Sequence, residues 1–533
     1  MTITFLKNRK SFFWVHILPL LIFLLLGAIV AYFAGQDQNW DLLNYHFYNP
    51  YALIHHREYI DFAPAGMQTF FSPVLDILNY VLIISLKPVF VGMTLGAIQG
   101  INAWLIYEVS ILVLSPYKKF KNWQFYIFSL FIGIASFFGA GNLSEVGGTM
   151  GDNISSIFVL LSLLLILISY QKSNNKVNWL RFFGYFAVGI AMGLKLTNAS
   201  YVLALLAIEI FNWKGFLKFV GQSIANGLYA LFGLLVSYGY WGYYLLTRFG
   251  SPLYPNFNAI FRSRYYPYIN FNDSRFFPKN TMQAIFYPFY FAVKQKLTAE
   301  VNFRDIRLAG IYVFIILLVA SSLFLYIKRR ETLRIPRTSM ILLVFIVISY
   351  LAWEYEFSIY RYLIPVEFLS MIAIVASIFA LVRYQRIGIS IIIISIIMFD
   401  TVPMNWGRIA WKPTFFGVSM PYKLNSNSMM IMAGSTPESY LIPYLPHNIS
   451  VIRIFSSIDP NNQNFLIRNY LHERIGAAEK QKKSLYGIES LYQGMSEKND
   501  YLSYGLELKS CLPIQTYKSK NLDPLFLCKL QID

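Results

Sequence analysis

Long apolar runs separated by short polar segments dominate the chain. Eleven runs approach or reach the roughly 20 residues that a helix needs to cross a bilayer. They lie at 16–34, 89–114, 123–141, 154–170, 182–196, 198–211, 221–246, 308–327, 338–353, 362–382 and 387–400. The runs at 182–196 and 198–211 are short, as expected of a broken or buried pair. The pattern predicts an α-helical polytopic membrane protein with about eleven transmembrane helices.

One further apolar run, at 66–86, does not fit this alternation. Pro73, Asp76 and Asn79 interrupt it. A full crossing here would place the next basic cluster of the chain on the wrong side of the membrane. We therefore expect a juxtamembrane helix that lies at the outer surface.

Basic residues predict the sidedness of the helices, because cytoplasmic loops are rich in Lys and Arg. Lys7, Arg9 and Lys10 precede the first run, which is too long for a signal peptide, so we expect an uncleaved first helix with a cytoplasmic N-terminus. Five later clusters would also be cytoplasmic: Lys118, Lys119 and Lys121; Lys172, Lys176 and Arg181; Lys214 and Lys218; Lys328, Arg329 and Arg330; Arg383 and Arg386. The outward segments would then be 35–65, 141–153, 247–307, 353–361 and 401–533.

The hydropathy falls after residue 400. MMIMAGS, ISVIRIFSS and LFLCKL read as short strands, and 462–475 and 484–492 as helices. We predict a membrane domain at 1–400 and a small α/β extracytoplasmic domain at 401–533. Cys511 and Cys528 lie in the second domain, where an oxidising compartment would allow them to pair.

Composition narrows the function classes. The chain is 56% hydrophobic, 18% aromatic and only 14% charged, which excludes a disordered chain and an ordinary soluble enzyme. The net charge of +18 comes from bases scattered between apolar runs. Nucleic-acid binding would need a soluble basic face, so membrane lipids or phosphate groups are the expected anionic partners.

Candidate chemistry begins directly after the first run. Asp41, Tyr45 and Tyr48 would share one face of a helix, given their spacings of four and three. An acid and two phenols at the mouth of a membrane protein suggest polar substrate chemistry. The alternative is that Asp41 caps the helix and the tyrosines form an interfacial belt.

Three more outward places combine charge with apolar walls. Asp152 follows Glu145 in GNLSEVGGTMGDNISS, where it would either act in a site or cap the next helix. Lys195 lies between the two short runs, where a lysine must snorkel, pair or line a polar cavity. Arg361, next to Tyr362, follows two glutamates in a brief external loop, and snorkelling is the alternative explanation for it.

The outward segment 247–307 carries nine bases against three acids, interleaved with aromatic residues. Arg262 and Arg264 are candidates for binding the phosphate of a lipid carrier. The alternative is a structured loop that meets anionic headgroups. A metal site made of His46, His55 and His56 has weak support, because adjacent histidines on one helix point apart.

The order of these features resembles the GT-C superfamily of membrane glycosyltransferases, which includes the protein O-mannosyltransferases and the lipid A aminoarabinose transferases. Asp41-Leu-Leu-Asn-Tyr45 is similar to the family's D-x-x-x-Y motif after the first helix, and APAGMQTFF to its juxtamembrane helix. Asp152 stands where a second aspartate opens a later helix, and Lys195 where a glycine-rich helix ends. Arg361-Tyr362-Leu363-Ile364-Pro365 is similar to its R-Y-x-x-P motif, and GSPLYPNFNAIF to a further loop element.

The resemblance implies a mechanism. The donor would be a sugar on a polyprenyl phosphate, and the acceptor a glycan, lipid or protein at the outer face of a bacterial inner membrane. Asp41 would act as general base, with Asp152 orienting the acceptor or the surroundings of Asp41. Tyr45 and Tyr362 would line the substrate site. The cations that would neutralise the leaving phosphate are Lys195, Arg361, Arg262 and Arg264. The base is expected to sit apart from these cations. Some family members use a divalent metal ion and others do not, so the resemblance leaves that cofactor open.

Three other functions compete with this one. A lipid-linked glycan flippase or transporter would also need lipid-phosphate sites, although such proteins often show internal repeats and none is evident here. A surface-polysaccharide polymerase or ligase is closer in chemistry. A scaffold whose outward domain binds a partner would be indifferent to replacement of Asp41.

Overall fold

The structure is a computed structural model that describes residues 12–117, 121–171, 176–458, 465–490, 494–517 and 524–532. The bases at 7, 9 and 10, on which the cytoplasmic N-terminus was predicted, lie outside these ranges. So do those at 118, 119 and 172. The sidedness of the N-terminus therefore stays a prediction.

Helices form the first three quarters of the chain. In chain order they are α1 (Leu18–Ala34), α2 (Tyr48–Ile54), α3 (Asp76–Ser85), α4 (Pro88–Leu114), α5 (Asn122–Phe137), α6 (Ala140–Glu145), α7 (Asp152–Gln171), α8 (Lys176–Leu194), α9 (Ala199–Ala207), α10 (Phe216–Phe249), α11 (Asn258–Phe261), α12 (Thr281–Ile285), α13 (Tyr287–Val293), α14 (Arg307–Arg329), α15 (Arg337–Glu356), α16 (Ile364–Leu381) and α17 (Arg386–Asp400). Each of the eleven predicted runs is helical. The run at 198–211 consists of α9 and the 3₁₀ turn that follows it.

Seven helical segments of the described chain are long and apolar enough to cross a membrane: Phe13–Ala34, Pro88–Tyr117, Asp152–Gln171, Phe216–Phe249, Arg307–Lys328, Arg337–Glu356 and Tyr360–Leu381. The other four predicted runs are helices outside this set. The expectation of a helical polytopic membrane protein is therefore confirmed.

The helix α3 occupies the run that did not fit the alternation. It has ten residues, so it extends about 15 Å at 1.5 Å per residue, half the thickness of the hydrocarbon core. A helix of that length does not cross a bilayer. The predicted short helix is therefore present, and its position at the outer surface stays a prediction.

The helices α1 and α4 pack closely, which fixes the position at which α1 ends. A Cβ atom on Gly96 of α4 would overlap the carbonyl oxygen of Gly27 on α1, and one on Gly100 would overlap that of Phe23. Only glycine permits such an approach of two backbones. The helix α16 is buried along nearly its whole length and forms the centre of the apolar core.

The C-terminal part forms a five-stranded sheet in the order β2-β1-β3-β5-β4. The elements are β1 (Ser428–Ala433), β2 (Ser450–Ile454), α18 (Phe465–Lys480), β3 (Ser484–Ser490), α19 (Gly494–Leu502), β4 (Leu506–Ile514) and β5 (Leu525–Ile532). The strands β2, β1 and β3 are parallel, whereas β5 pairs antiparallel with both β3 and β4. The small α/β part is as predicted, and its status as a separate domain beginning at residue 401 stays a prediction.

One element of this part was predicted wrongly. Residues 484–492 were expected to be helical, but Ser484–Ser490 is the strand β3 at the centre of the sheet. Pairing with a neighbour on each side satisfies its backbone, and this long-range pairing outweighs local helix propensity.

The sheet packs on the segment that follows α1. Phe62 extends the sheet by a bridge to Ile452 of β2. Arg57 donates to both oxygens of Asp61 at 2.7 and 2.8 Å and to the carbonyl oxygen of Ile449 at 2.6 Å. This buried network ties the chain near Asp41 to the C-terminal part.

Cys511 and Cys528 form a disulfide between β4 and β5. They are directly opposite each other in the register of the two strands. The pairing that an oxidising compartment would allow is therefore present in the structure.

The helices have two distinct ends. The helix α7 begins at Asp152 and α8 finishes just before Lys195, so these residues lie at one end of an antiparallel pair. Asp41 contacts Arg361, and this pair lies within electrostatic range of Lys195 and Asp152, so three segments predicted to face the same side meet at this end. The assignment of this end to the outer face stays a prediction.

Candidate active site

Two pairs of opposite charge form the centre of the site. In the first pair, Nη1 of Arg361 lies 2.7 Å from Oδ2 of Asp41. Asp41 makes no capping hydrogen bond to the backbone, so the helix-cap alternative does not describe it. Both side chains are largely buried, so snorkelling does not explain Arg361 either.

The second pair consists of Lys195 and Asp152, with Nζ and Oδ2 2.6 Å apart. Lys195 has an extended backbone between the end of α8 and the next 3₁₀ turn. This break aims the side chain back at the start of α7, where Nζ also donates to the carbonyl oxygen of Met150 at 3.1 Å. The lysine is paired, which is one of the three arrangements expected for it.

Tyr362 and Met150 connect the two pairs. Nζ of Lys195 lies 5.4 Å from the centre of the Tyr362 ring, and the guanidinium of Arg361 lies 5.3 Å from it. Arg361 also contacts the sulfur of Met150 at 3.8 Å. One aromatic ring therefore faces two cations, each of which is paired with a carboxylate.

We predicted that the general base would lie apart from the phosphate-binding cations, and this prediction is wrong. The candidate base Asp41 is in direct contact with Arg361, one of the candidate phosphate ligands. A buried carboxylate needs a partner of opposite charge when no substrate supplies one.

The segment that carries Asp41 differs from the predicted α-helix. Leu42–His46 is a π-helical turn, which is wound more widely than an α-helix and therefore changes which residues share a face. Tyr45 stays near Asp41, but the hydroxyl of Tyr48 donates to Asp61 at 2.9 Å. The predicted common face of Asp41, Tyr45 and Tyr48 is therefore wrong.

The loop before α7 is held by buried polar side chains. Asp37 accepts from the backbone N–H and the hydroxyl of Thr149 at 2.8 and 2.9 Å. Gln99 accepts from the N–H of Gly147 at 2.7 Å, and Arg408 donates to the carbonyl oxygen of Val146 at 2.8 Å. These bonds fix the position of Asp152 at the next turn.

Glu145 is a third acid of the site that the predicted residue set omitted. Its side chain is buried beside Asp152, and its Oε2 accepts from the N–H of Asn153 at 3.2 Å. The sequence contained a signal, since Glu145 precedes Asp152 in the same glycine-rich stretch. For Arg408, beyond the last membrane run, the sequence contained none.

The pKa values of Asp41 and Glu145 are shifted in opposite directions by their surroundings. Burial alone would raise the pKa of Asp41, but the nearby charges of Arg361, His46 and Lys195 outweigh it and lower the pKa below 3.8. Burial, and then repulsion from Asp152, raise the pKa of Glu145 well above 4.5. Burial and the charge of Asp41 raise the pKa of Tyr45, so that this phenol stays neutral.

The three candidate histidine ligands are separated. Nδ1 of His46 is hydrogen-bonded to Asp76, whereas the ring of His55 meets that of His447 edge-on and His56 lies 3.6 Å from Glu58. They do not form a metal site in this arrangement.

The acids of the site also fit a divalent ion poorly. Asp41 and Asp152 each face a cation, which repels a metal ion and occupies its ligand oxygens. In the described part of the chain, the one group of three potential ligands close to one another is Glu489 with Cys511 and Cys528, and those cysteines are joined in the disulfide.

Arg262 and Arg264 lie away from these pairs in the chain segment after α10. Both side chains are exposed, and the guanidinium of Arg264 lies over the ring of Tyr265. No contact joins either arginine to the two charge pairs among the residues that the structure describes.

No protein-family model matches the chain, and no curated protein does. Among solved structures, the chain is similar to the oligosaccharyltransferase of Archaeoglobus fulgidus in the apo form, with 13% identity and a TM-score of 0.45 over 91% of this chain and 71% of the other. It is also similar to the same protein tethered to an acceptor peptide containing the NVT sequon, with 13% identity and a TM-score of 0.41 over 96% and 76% of the two chains. Because these values are low, no residue role is carried over from those structures.

Proposed function

We propose that the chain is a membrane glycosyltransferase of the GT-C superfamily. It transfers a sugar from a polyprenyl-phosphate-linked donor to a glycan, lipid or protein acceptor. The reaction takes place at the outer face of a bacterial inner membrane, with the C-terminal part in the periplasm. The observation that carries the proposal is the arrangement of Asp41–Arg361 and Asp152–Lys195 around Tyr362.

The cations suit a leaving phosphate. Arg361 and Lys195 meet at one aromatic ring, within a largely buried site where charge interactions are stronger than in water. A donor phosphate that reaches this ring competes with the two carboxylates for the cations. Arg361 offers a fork of donors that matches phosphate oxygens, and Lys195 supplies a second point charge.

Competition for Arg361 frees the base. Once the phosphate has taken Arg361, Asp41 loses the partner that holds its pKa down and becomes a better proton acceptor. Asp41 then accepts the proton of the acceptor hydroxyl or amine while that oxygen or nitrogen bonds to the anomeric carbon. The bond from the anomeric carbon to the phosphate oxygen breaks, and its electron pair stays on the polyprenyl phosphate. Arg361 and Lys195 stabilise the phosphate charge.

The other predicted residues have supporting parts in this scheme. Asp152 orients the acceptor and Lys195, while Tyr45 and Tyr362 line the substrate site. Arg262 and Arg264 would reach the donor phosphate if their loop folds over the site. No step is assigned to a metal ion, because the acids are paired with cations.

The deciding experiment is transfer from a panel of polyprenyl-phosphate sugars by purified protein, with Asp41→Asn compared to wild type. The control is Asp500→Asn, the same chemical change in α19. We expect a loss of about 100-fold or more for Asp41→Asn, with donor binding retained. Equal transfer by both variants would move the role of base to Asp152. Binding of lipid phosphate without transfer from any donor would favour the flippase or transporter.

A further inference from the structure

A cavity with several charged residues in its lining lies at the opposite end of α7 and α8 from the two charge pairs. It has a volume of about 290 Å³ and is lined by Glu209, Lys214, Lys218, Gly221 and Gln222, among others. The helices α7 and α8, which carry Asp152 and Lys195 at one end, reach this cavity region with their other ends. The proposed transfer reaction does not use this cavity.

The surroundings of the cavity are strongly basic. Lys214 and Lys218 are exposed, and in the described part of the chain no carboxylate pairs with either of them. The carboxylate of Glu209 is already engaged, since its Oε2 lies 3.1 Å from Nη1 of Arg181 and its Oε1 accepts from Tyr185 at 2.8 Å. The two lysines are therefore free to hold an anion.

Two arginines lie against one tyrosine ring at the same end of the helices. The guanidinium of Arg337 lies 4.8 Å from the ring centre of Tyr170, and that of Arg181 lies 5.4 Å from it. Together with the two lysines, this region has four cations and one carboxylate.

Aromatic residues indicate the depth of the cavity. Trp179 at the start of α8 is 67% exposed, and Trp213 next to Lys214 is 50% exposed. Exposed tryptophans near the ends of apolar membrane helices settle at the level of the lipid headgroups. The cavity therefore opens where phosphate groups of lipids are concentrated.

Unused hydrogen-bonding groups lie beside the cavity wall. Gln222 donates to Asn226 at 2.9 Å, while Nδ2 of the fully buried Asn226 and the hydroxyl of Ser223 have no partner among the residues that the structure describes. Buried polar atoms normally have a partner in protein or ligand. A bound polar group in the cavity would reorganise this short network.

We propose that this cavity binds a phosphate-bearing anion of the kind found on an anionic phospholipid headgroup. Lys214 and Lys218 supply the charge, and the space beside Gly221 admits the headgroup. A basic pocket at headgroup depth beside a spanning helix is a setting in which proteins retain anionic lipids. The proposal is independent of the reaction at the other end of the helices.

The test is native mass spectrometry of the purified full chain in detergent, titrated with phosphatidylglycerol and, separately, with phosphatidylcholine. One variant, Lys214→Ala/Lys218→Ala, removes the charge. The other, Gly221→Phe, fills the cavity and keeps both lysines, and its Cβ meets no atom within 4 Å. The matched control is Lys328→Ala/Arg334→Ala, which removes two exposed cations outside the cavity.

We expect wild type and control to prefer phosphatidylglycerol, and the lysine variant to bind it about 30-fold more weakly, since each cation contributes roughly fivefold. The Gly221→Phe variant should also lose the preference for phosphatidylglycerol over phosphatidylcholine. Competition by glycerol 3-phosphate would support the phosphate site and identify a soluble source, whereas a preference that resists it would support the lipid. Equal binding by wild type and both variants, or equal binding of the two lipids, would overturn the proposal.

Discussion

The guanidinium of Arg361 lies 2.7 Å from the carboxylate of Asp41, although 320 positions separate the two residues. In the proposed reaction, the cation that would bind the leaving phosphate is therefore paired, before substrate binds, with the acid that would act as the base. Lys195 is paired in the same way with Asp152. Substrate binding would then exchange these internal partners for the phosphate, so that the base becomes active when the donor is in place.

Removal of either cation should weaken donor binding. For Arg361→Gln and Lys195→Gln we expect binding of polyprenyl phosphate to fall by about 10- to 100-fold, since a hydrogen bond to a charged group contributes about 1.5–3 kcal/mol. Lys195→Arg, which keeps the charge, should retain most of the affinity. Equilibrium binding of radiolabelled polyprenyl phosphate measures this effect. Arg383→Gln, an exposed arginine after α16, is the control. An equal loss in all variants would contradict a specific phosphate site.

Chelation should leave the transfer reaction unchanged. Asp41 and Asp152 are neutralised by Arg361 and Lys195, and a divalent ion would have to displace those cations. We therefore expect equal rates of sugar transfer in excess EDTA and in added Mg²⁺ or Mn²⁺. A rate that collapses in EDTA and returns with one of the metals would show that the acids rearrange to bind an ion.

The stability of the protein should depend on pH through Glu145. Burial, and then repulsion from Asp152, raise the pKa of Glu145 well above 4.5 in the folded state. As pH rises from 4.5 towards the folded value, the unfolded chain releases this proton first, and stability falls. Glu145→Gln removes this penalty and keeps an acceptor for Asn153. The variant should gain melting temperature over wild type as pH is raised from about 5 to about 8.

Asp41 should affect the pH dependence of stability in the opposite direction, and at lower pH. The pKa of Asp41 is below 3.8, so its contribution to stability is present above that value and is lost as pH falls through the folded pKa. Melting temperatures followed by intrinsic fluorescence across the pH range separate the two effects. Glu473→Gln, at an exposed site on α18, is the control. Parallel melting curves for wild type and Glu145→Gln at every pH would contradict the assignment.

The disulfide should stabilise the C-terminal sheet. Cys511 and Cys528 are 17 residues apart, and closing a loop of that length contributes about 3 kcal/mol. We expect Cys511→Ala/Cys528→Ala to unfold this part at lower denaturant concentration, as followed by proteolysis in urea. A reducing agent should lower the stability of wild type and leave the double variant unchanged. Thiol labelling of native wild type without reductant would show that the pair is not formed.

Much of the fold follows from the sequence because the requirements for crossing a membrane apply to each segment of the chain separately. Each spanning helix must satisfy its own backbone and carry enough apolar residues, so hydropathy alone located all eleven helical runs. Failures occurred where partners distant in sequence decide. Ser484–Ser490 became a strand because β1 and β5 flank it, and its local pattern contained no such information.

Most of the acids and bases of the site, though not Arg408, were also visible in the sequence, because an isolated charge beside an apolar wall is costly and conspicuous. Which of them pair was decided only by the tertiary structure. Asp41 meets Arg361 although the segment after α1 and the turn before α16 are far apart in the chain, and the π-helical turn after Asp41 sends Tyr48 to Asp61 instead. The sequence determines which charges must be buried and therefore need a partner. The tertiary packing determines which residue of opposite charge becomes that partner.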